Sequence, residues 1–260
     1  MVIIMIGIIL SAGMGKRLRP LTDNIPKPLL IINNMTLLER MIRNCMNVNI
    51  NKFLIVVGYN KDKVIQLSKD LENKYDINII LIENERFDVT NTSVSTYLAS
   101  NYIQENDIDD FLLINGDNVV DPKLIVKIAS RKNTSMIIDN FKELNDESFK
   151  LIISNKRVSK NRLIACGFIE EIGKEIDISN STGEFIGISK VSKKDIGHFN
   201  DILLNLIEDN EQNYYDFAFK ELSSISKIDF VLTNGLKWTE IDNQDDWKQA
   251  NKLIEEFEGD

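Results

Sequence analysis

The 260-residue chain is poor in the residue types that build disulfides, thiol-ligated metal sites and histidine-based catalysis. It contains two cysteines, Cys45 and Cys166, and one histidine, His198. Both cysteines lie in apolar surroundings and not in closely spaced pairs, which indicates core residues rather than ligands or a disulfide. His198 has no Ser, Cys or acidic motif beside it, so we interpret it as a bystander. This cysteine usage favours a reducing compartment, and we expect a cytoplasmic protein.

Basic charge is scarce as well. The chain has 31 Lys and Arg against 40 Asp and Glu, which gives a formal net charge of −9. No basic stripe is present that could neutralise a phosphate backbone, so we expect no nucleic-acid partner. A negatively charged protein can still bind a nucleotide where its few cations are concentrated.

Long hydrophobic runs are absent. The first ten residues are apolar, but a membrane-spanning helix needs about 20 such residues. They also lack the basic start of a signal peptide. We therefore expect no membrane partner and interpret residues 3–10 as a buried strand.

Predicted strands and helices alternate along the first half of the chain. Apolar runs predict strands at residues 3–10, 53–57, 77–82 and 111–114, and helices are expected to begin near residues 36, 60, 91 and 121. This rhythm is typical of an α/β protein with a mainly parallel central sheet and helices on both faces. Further strands are predicted at 135–138, 149–153, 185–188 and 228–232, helices at 191–207 and 214–222, and a last helix capped by Asp242 or Asn243. Short antiparallel pieces among them suggest a small lid-like insertion.

The first strand stops at a turn of small residues, and the sequence of residues 10–22 is LSAGMGKRLRPLT. Glycines such as Gly15 allow backbone N–H groups to approach phosphate oxygens. Lys16 and Arg17 follow at once, and Lys27 stands between two prolines. Arg17 offers planar, multi-donor contacts and Lys27 a point charge. The segment therefore predicts a triphosphate-binding loop, and the competing interpretation is a solvated glycine turn with surface cations.

Two better-known glycine motifs do not fit this loop. A Walker A loop has Gly, four residues, then Gly-Lys and a hydroxyl residue, but Leu10 stands at the first glycine position and Arg17 at the last. A dinucleotide fingerprint has G-x-G-x-x-G, and Leu18 occupies its third glycine position.

The pattern G-x-G-x-R-L followed by P-K-P instead resembles the signature of nucleotidyltransferases that make NDP-sugars and CDP-activated head groups. The resemblance implies a three-layer, Rossmann-like nucleotidyltransferase fold. It implies catalytic roles for Arg17 and Lys27. The nucleotide-binding residues that it implies in the loop are Leu10, Ser11, Ala12, Gly13, Gly15 and Lys16.

Two aspartates are candidates for a metal site. Asp117 ends a buried strand in the sequence I-N-G-D, with Gly116 expected to keep the approach open, and Asp242 lies in E-I-D. Ligands of such sheets bind beyond the carboxyl ends of the strands, where the loop and Asp117 should meet. Mg²⁺ is held by a few carboxylates together with phosphate oxygens. The resemblance implies that both aspartates bind Mg²⁺; the alternatives are a turn residue for Asp117 and a helix cap for Asp242.

Residues 85–97, ERFDVTNTSVSTY, resemble a segment of the phosphocholine and phosphonate cytidylyltransferase group. Asn91 and Ser93 could contact the nucleotide there, with helix capping as the alternative. The same resemblance implies that three residues bind the acceptor: Lys174, Glu184 in G-E-x-x-G-I and Trp238 in W-x-E-I-D. Tyr215, with Tyr214 and Trp238, could form an aromatic cage for a quaternary ammonium, or these rings could serve ordinary packing. Asp216 follows the paired tyrosines where the group often has Glu.

We therefore expect a Mg²⁺-dependent transfer of CMP from CTP to a small phosphorylated or phosphonate head group. Residues 1–260 would form one domain, with a nucleotide-binding half (1–130) and an acceptor-binding, metal-completing half (131–260); a homodimer is compatible with this. Two other functions stay open: a sugar-1-phosphate nucleotidylyltransferase using UTP or dTTP, and a non-catalytic nucleotide-binding regulatory protein.

Overall fold

The computed structural model describes residues 5–154 and 167–259, so Cys166 and residues 3–4 of the first predicted strand lie outside the described residues. The strands are β1 (Ile6–Ser11), β2 (Ile31–Ile32), β3 (Met35–Thr36), β4 (Lys52–Val57), β5 (Asn78–Glu83), β6 (Phe111–Asn115), β7 (Asn118–Val120), β8 (Ser135–Asp139), β9 (Lys150–Ser154), β10 (Phe168–Gly173), β11 (Gly183–Val191), β12 (Asp229–Leu232) and β13 (Trp238–Glu240). The α-helices are α1 (Leu37–Met46), α2 (Lys61–Tyr75), α3 (Thr92–Glu105), α4 (Pro122–Ala129), α5 (Ile196–Asp209), α6 (Asp216–Ile225) and α7 (Gln244–Gly259).

One large sheet organises these elements. Its strand order is β10-β9-β11-β6-β1-β4-β5, and β8 with β12 extends from β11. Strands β6, β1, β4 and β5 are parallel, whereas β11 runs antiparallel to β6, β8 and β9. The expected α/β class with a mainly parallel central sheet is confirmed. The antiparallel pair β9–β10 forms one edge of this sheet, and β2–β3 and β7–β13 form two small antiparallel ribbons.

The two faces of the sheet are covered by different helices. On one face Ile8 and Leu54 belong to a core cluster with residues of α3, α5 and α6. On the other face Ile9 and Ile55 pack with residues of α1, α2 and α4. Successive strand residues point to opposite faces, so this alternation produces the three layers. A third, smaller cluster joins α7 to the segment after β1, through Leu18, Ile32 and Ile254.

Most helix starts follow the sequence signals. Thr36 Oγ1 accepts a hydrogen bond from Glu39 N (3.2 Å), and Asp121 Oδ1 accepts one from Lys123 N (2.8 Å), with Pro122 as the first residue of α4. The sequence also allows a capping box in which Glu39 would bond back to Thr36 N, but the Glu39 carboxylate accepts from Lys74 and Tyr75 instead. None of the described helices is long and apolar enough to cross a membrane.

The helix predicted at 191–207 begins five residues later than expected, at Ile196. Val191 still belongs to β11, where it pairs with Phe111 of β6. Because β11 bonds to three neighbouring strands, it extends well beyond the predicted 185–188. Long-range pairing of this kind overrides a local helical pattern.

Gly116 fixes the junction between the ends of β1 and β6. Its N–H donates to Leu10 O at 3.0 Å. A Cβ at this position would lie 2.4 Å from Leu10 O and 2.9 Å from Ser11 Oγ. The close neighbour of such a Cβ is the chain's own backbone, so this glycine is also required for the packing of the two strand ends. Gly13, in contrast, would place a Cβ in space where the described part of the chain has no atom within 4 Å.

We predict that Gly116→Ala lowers the free energy of unfolding by about 1–3 kcal/mol, since the added methyl group forces the two strand ends apart. Gly13→Ala is the matched control and should change that free energy by no more than about 0.5 kcal/mol. Urea unfolding followed by circular dichroism measures both values. Equal stability of the two variants would contradict the packing role of Gly116.

Candidate functional site

The segment after β1 forms a firmly held loop. Gly15 has φ 58°, the left-handed region that favours glycine, and its carbonyl accepts from Thr22 Oγ1 at 2.8 Å. The following single turn of 3₁₀-helix, Lys16–Leu18, buries Leu18 completely in the third core cluster. The loop is thus anchored on both sides, while the side chains of Lys16 and Arg17 stay exposed.

Lys27 joins two remote parts of the chain. Its Nζ lies 2.7 Å from Asp117 Oδ2 and 3.1 Å from Asp242 Oδ1, and only 13% of its side chain is exposed. Arg17 Nη2 lies 2.8 Å from the other oxygen of Asp242. The backbone closes the same junction, because Ile241 N donates to Asp117 O at 3.1 Å. Four sequence-predicted residues therefore meet at one place.

Glu240 completes an acidic cluster that the sequence analysis assigned only in part. Carboxylate oxygens of Asp117, Glu240 and Asp242 all lie within 4.8 Å of one another. A signal for Glu240 existed: it stands two residues before Asp242, and the residue between them, Ile241, is fully buried. Alternating residues of an extended segment share a face.

The charges of this cluster shift the ionisation of its members. Burial lowers the pKa of Lys27, but the charges of Asp117 and Asp242 outweigh burial, and the net result is a raised pKa. Burial also opposes ionisation of Asp242, yet Lys27 and Arg17 hold the pKa of that carboxyl below its ordinary value. Lys27 and Asp242 are therefore both charged at neutral pH, as an ion pair requires.

The donor set suits a divalent cation such as Mg²⁺, which prefers carboxylate oxygens. Asp117 Oδ1 is buried and has no hydrogen-bond partner among residues 5–154 and 167–259, so it is available as a ligand. The helix-cap alternative for Asp242 does not hold. Asn243 Oδ1 instead accepts from Asp245 N and Asp246 N at 2.8 and 3.0 Å and caps α7.

Two cavities meet at the cluster. The first has a volume of about 360 Å³ and the second about 290 Å³. The residues that line both are Leu10, Gly13, Arg17, Gly116, Asp117 and Asp242. Since both cavities share this wall, groups bound in each would face one another across the acidic cluster.

Most of the predicted site residues line these cavities. The first cavity is bounded by the predicted loop residues Leu10, Ser11, Gly13, Gly15, Lys16 and Arg17, and by Lys27. The predicted residues that line the second are Ala12, Asn91, Lys174, Glu184 and Tyr215. Asn91 also caps α3, because its Oδ1 accepts from Thr92 N at 2.8 Å.

Three predicted roles are corrected by the structure. Ser93 is fully buried in the first turn of α3, so a ligand cannot reach it. Trp238 lies in β13, where its Nε1 donates a hydrogen bond to Asp139. Lys142 Nζ lies over the Trp238 ring, 4.9 Å from the ring centroid. Trp238 is therefore not among the residues that line either cavity. Tyr215 is fully buried and donates its hydroxyl to Asn115 Oδ1 at 3.1 Å, so it does not offer the open face that an aromatic cage needs.

Sequence reasoning missed the loop before β9. Glu147 lies 3.8 Å from Arg17 Nη1 and 2.8 Å from Lys174 Nζ, and it lines the second cavity together with Phe149. The Phe149 ring contacts the ring of Tyr214 edge to face, with centroids 5.6 Å apart. No local motif marks this loop, since its position depends on strand pairing far away in the sequence.

Comparison with known proteins agrees with this geometry. Residues 6–163 match the family described as Nucleotidyl transferase. The bifunctional protein GlmU of Methanococcus maripaludis (strain C5) is 32% identical over 97% of this chain and 56% of its own length. Choline-phosphate cytidylyltransferase of Streptococcus pneumoniae is 34% identical over 42% of this chain and 46% of its own length. The chain thus spans about half the length of these curated relatives.

A solved structure shows the same architecture. The CTP:phosphocholine cytidylyltransferase from Streptococcus pneumoniae superposes with a TM-score of 0.73 at 21% identity, covering 96% of this chain and 99% of that one. The strand order of the sheet, the loop after β1 and the acidic cluster are together those of an α/β protein with the nucleotidyltransferase fold. The chain belongs to the nucleotidyl transferase family, which is a family of enzymes.

The ion pairs of Lys27 can be tested without an activity assay. We predict that Lys27→Met lowers the free energy of unfolding by roughly 3 kcal/mol, because Asp117 then loses its ion-pair partner and only Arg17 still offsets the charges of the three carboxylates. Added MgCl₂ should restore more stability to this variant than it adds to the unmutated protein, since a bound cation stabilises the folded state. Thermal unfolding over a MgCl₂ titration measures both effects.

Lys61→Met is the control, because Lys61 and Glu83 form an exposed surface pair. Such exposed pairs contribute little to stability, because water screens their charges. If MgCl₂ left the stability of Lys27→Met unchanged, the acidic cluster would not bind a divalent cation.

Proposed function

We propose that this protein transfers CMP from CTP to a small phosphorylated or phosphonate head group, with Mg²⁺ bound and pyrophosphate released. The observation that supports this most directly is the shared wall of the two cavities. There Lys27 and Arg17 lie against Asp117 and Asp242. A cation-rich loop on one side and an acidic cluster at the junction are what a metal-bound triphosphate requires.

The first cavity would hold the triphosphate. Lys16 and Arg17 extend from the loop beside it, and Gly13 leaves room for phosphate oxygens close to the backbone. Arg17 is a planar, permanently charged donor suited to the β- and γ-phosphates. Lys27 lines the first cavity and pairs with Asp117 of the shared wall, where the α-phosphate would meet the acceptor.

Asp117 and Asp242, with Glu240 beside them, would hold the Mg²⁺. The ion would offset the negative charge of the phosphates and help orient them. The chain itself supplies positioning: Lys27 and Arg17 fix the two aspartates in place through contacts of 2.7–3.1 Å.

The acceptor would enter from the second cavity. Its phosphate or phosphonate oxygen attacks the α-phosphorus in line, and the bond to the pyrophosphate oxygen breaks. Such an oxyanion is already a nucleophile near neutral pH, so proton abstraction is not needed, and positioning with charge neutralisation supplies the catalysis. Lys174 lines this cavity with Glu147 2.8 Å away, placed to meet the acceptor's anionic group. The single histidine, His198, is an exposed residue of α5, consistent with a bystander.

The preference for CTP rests on the segment at residues 85–97 and on the local similarity to a choline-phosphate cytidylyltransferase. Thr90 and Asn91 line the second cavity and provide hydroxyl and amide groups near a base or ribose, and Asn84 holds Thr90 through a hydrogen bond of 3.1 Å. The proposal also includes a cytoplasmic location, no nucleic-acid partner and a homodimer as a compatible state.

A pyrophosphate-release assay tests this function. We expect turnover with CTP rather than ATP, GTP or UTP, and with head-group phosphates or phosphonates rather than glucose 1-phosphate. Turnover should vanish when the metal is removed with EDTA and return with MgCl₂. Activity only with a sugar phosphate and UTP or dTTP would replace this proposal by the sugar-nucleotide alternative.

Asp117→Ala should lower kcat by about 10³-fold or more, because a metal ligand at the reacting phosphate is lost. Asp245→Asn is the control: its side chain is 89% exposed and pairs only with Lys248 among its described contacts, so kcat should stay unchanged. Unchanged turnover in Asp117→Ala, with the fold verified by circular dichroism, would remove the metal assignment.

A further inference from the structure

The β5–α3 loop (residues 84–91) brings polar groups to the second cavity. Phe87, Thr90 and Asn91 belong to this loop and line the cavity. In the proposed function, Thr90 and Asn91 lie near the base or ribose of the nucleotide. How firmly the loop is held then affects how tightly the nucleoside binds, because a loop that must be ordered on binding costs affinity.

Hydrogen bonds within the loop give it a compact shape. Asn84 Nδ2 donates to Thr90 Oγ1 and to Ser95 Oγ of α3, both at 3.1 Å. Asn84 Oδ1 accepts from Arg86 N at 3.0 Å, and Thr90 Oγ1 donates to Arg86 O at 2.8 Å. Since these bonds join the beginning of the loop to its end, contacts that hold the two ends also place the groups between them.

Glu211 ties both ends of this loop to the α5–α6 connection (residues 210–215). Its carboxylate accepts a bidentate pair of hydrogen bonds from Arg86, with Nη2 2.7 Å from Oε2 and Nη1 bonded to Oε1. Its backbone O accepts from Asn91 N at 2.9 Å. Arg86 is the third residue of the loop and Asn91 is the last. One residue, 125 positions away from Arg86, therefore holds the loop at two places.

Two further hydrogen bonds join the same segments. Gln212 Nε2 donates to Val89 O, and Ser93 N, in the first turn of α3, donates to Asn213 O at 3.3 Å. The Arg86–Glu211 pair adds direction to these contacts, because two parallel N–H···O bonds fix the relative orientation of a guanidinium and a carboxylate.

We infer that Arg86 and Glu211 are positioning residues for the nucleoside part of the substrate. Neither residue lines the two cavities, so they act through Thr90 and Asn91, which they hold at the wall of the second cavity. This inference rests on the proposed function and adds two residues to it. The loop after β1 shares none of the contacts described above, so binding of the phosphates should not depend on the pair.

The competing interpretation is an ordinary surface ion pair. The side chains of Arg86 and Glu211 are 59% and 38% exposed, and pairs of this kind usually contribute little to stability. The two interpretations differ in what the pair affects. A positioning pair changes nucleotide binding while the stability of the fold stays nearly the same, whereas an ordinary surface pair changes neither.

The test breaks the pair from each side. In Arg86→Met and in Glu211→Met, we expect the KM for CTP to rise by about 5-fold or more, with kcat within about 2-fold of the unmutated value, because the loosened loop must be ordered when the nucleoside binds. Calorimetric titration should show the same rise in the Kd for CTP. The Kd for inorganic pyrophosphate should stay unchanged, since pyrophosphate has no nucleoside to contact the loop.

Lys61→Met is the matched control. Lys61 forms an exposed pair with Glu83, the last residue of β5, directly before the loop. Its substitution should leave the Kd values for CTP and pyrophosphate unchanged. Thermal unfolding of Arg86→Met and Glu211→Met should shift no more than that of the control, because all three variants lose one exposed pair.

A double-mutant cycle assigns the effect to the pair. The combined variant Arg86→Met/Glu211→Met should bind CTP about as tightly as either single variant, because one substitution already breaks the contact. If the losses of the two single variants instead added up in the combined variant, the two residues would act separately and the inference would be wrong.

Binding distinguishes this inference from the proposed function. If CTP and head groups give no turnover but UTP or dTTP and a sugar phosphate do, the proposed function fails, and the same Kd comparison with that nucleotide tests the pair. An unchanged nucleotide Kd in Arg86→Met and Glu211→Met overturns the inference, whichever nucleotide binds. A parallel rise in the Kd values for nucleotide and pyrophosphate would show a general structural role and would also contradict it.

Discussion

The largely buried ammonium group of Lys27 holds the candidate site together. The carboxylates of Asp117, Glu240 and Asp242 are close enough to repel each other strongly, and Lys27 lies between two of them. Its attraction offsets the cost of keeping like charges together in a partly desolvated place. Lys27 stands 90 residues from Asp117 and 215 from Asp242. A single ion-pair group therefore connects the loop, the end of β6 and the segment before α7.

Backbone contacts fix the positions of the segments around the Lys27 ammonium group. Gly116 brings the end of β6 against Leu10 O, and Gly15 turns the loop so that Leu18 fills the third core cluster. The cations are thus presented by an anchored loop rather than by a free one. A site of this kind can act by positioning and charge, because few groups need to reorganise when phosphates bind.

The fold and the site contribute different information about function. The architecture and the loop are shared with family members whose acceptors differ, so they define the class of reaction and not the acceptor. The second cavity is also lined by Glu184, Asp216, Phe149 and Tyr214, which do not belong to the loop after β1 or to the acidic cluster.

Local sequence patterns determined the central sheet and the helix caps at Thr36 and Asp121, through hydrophobic period and capping chemistry in neighbouring residues. The meeting of Arg17, Lys27, Asp117 and Asp242 was expected from the resemblance of several short motifs to a known family. Only the tertiary structure decided that Ser93 and Trp238 do not line the cavities, that Asn243 rather than Asp242 caps α7, and that Glu147 approaches Arg17. Side-chain direction and loop position depend on contacts between segments far apart in the chain. No local pattern carries that information, because strand pairing and burial set those contacts collectively.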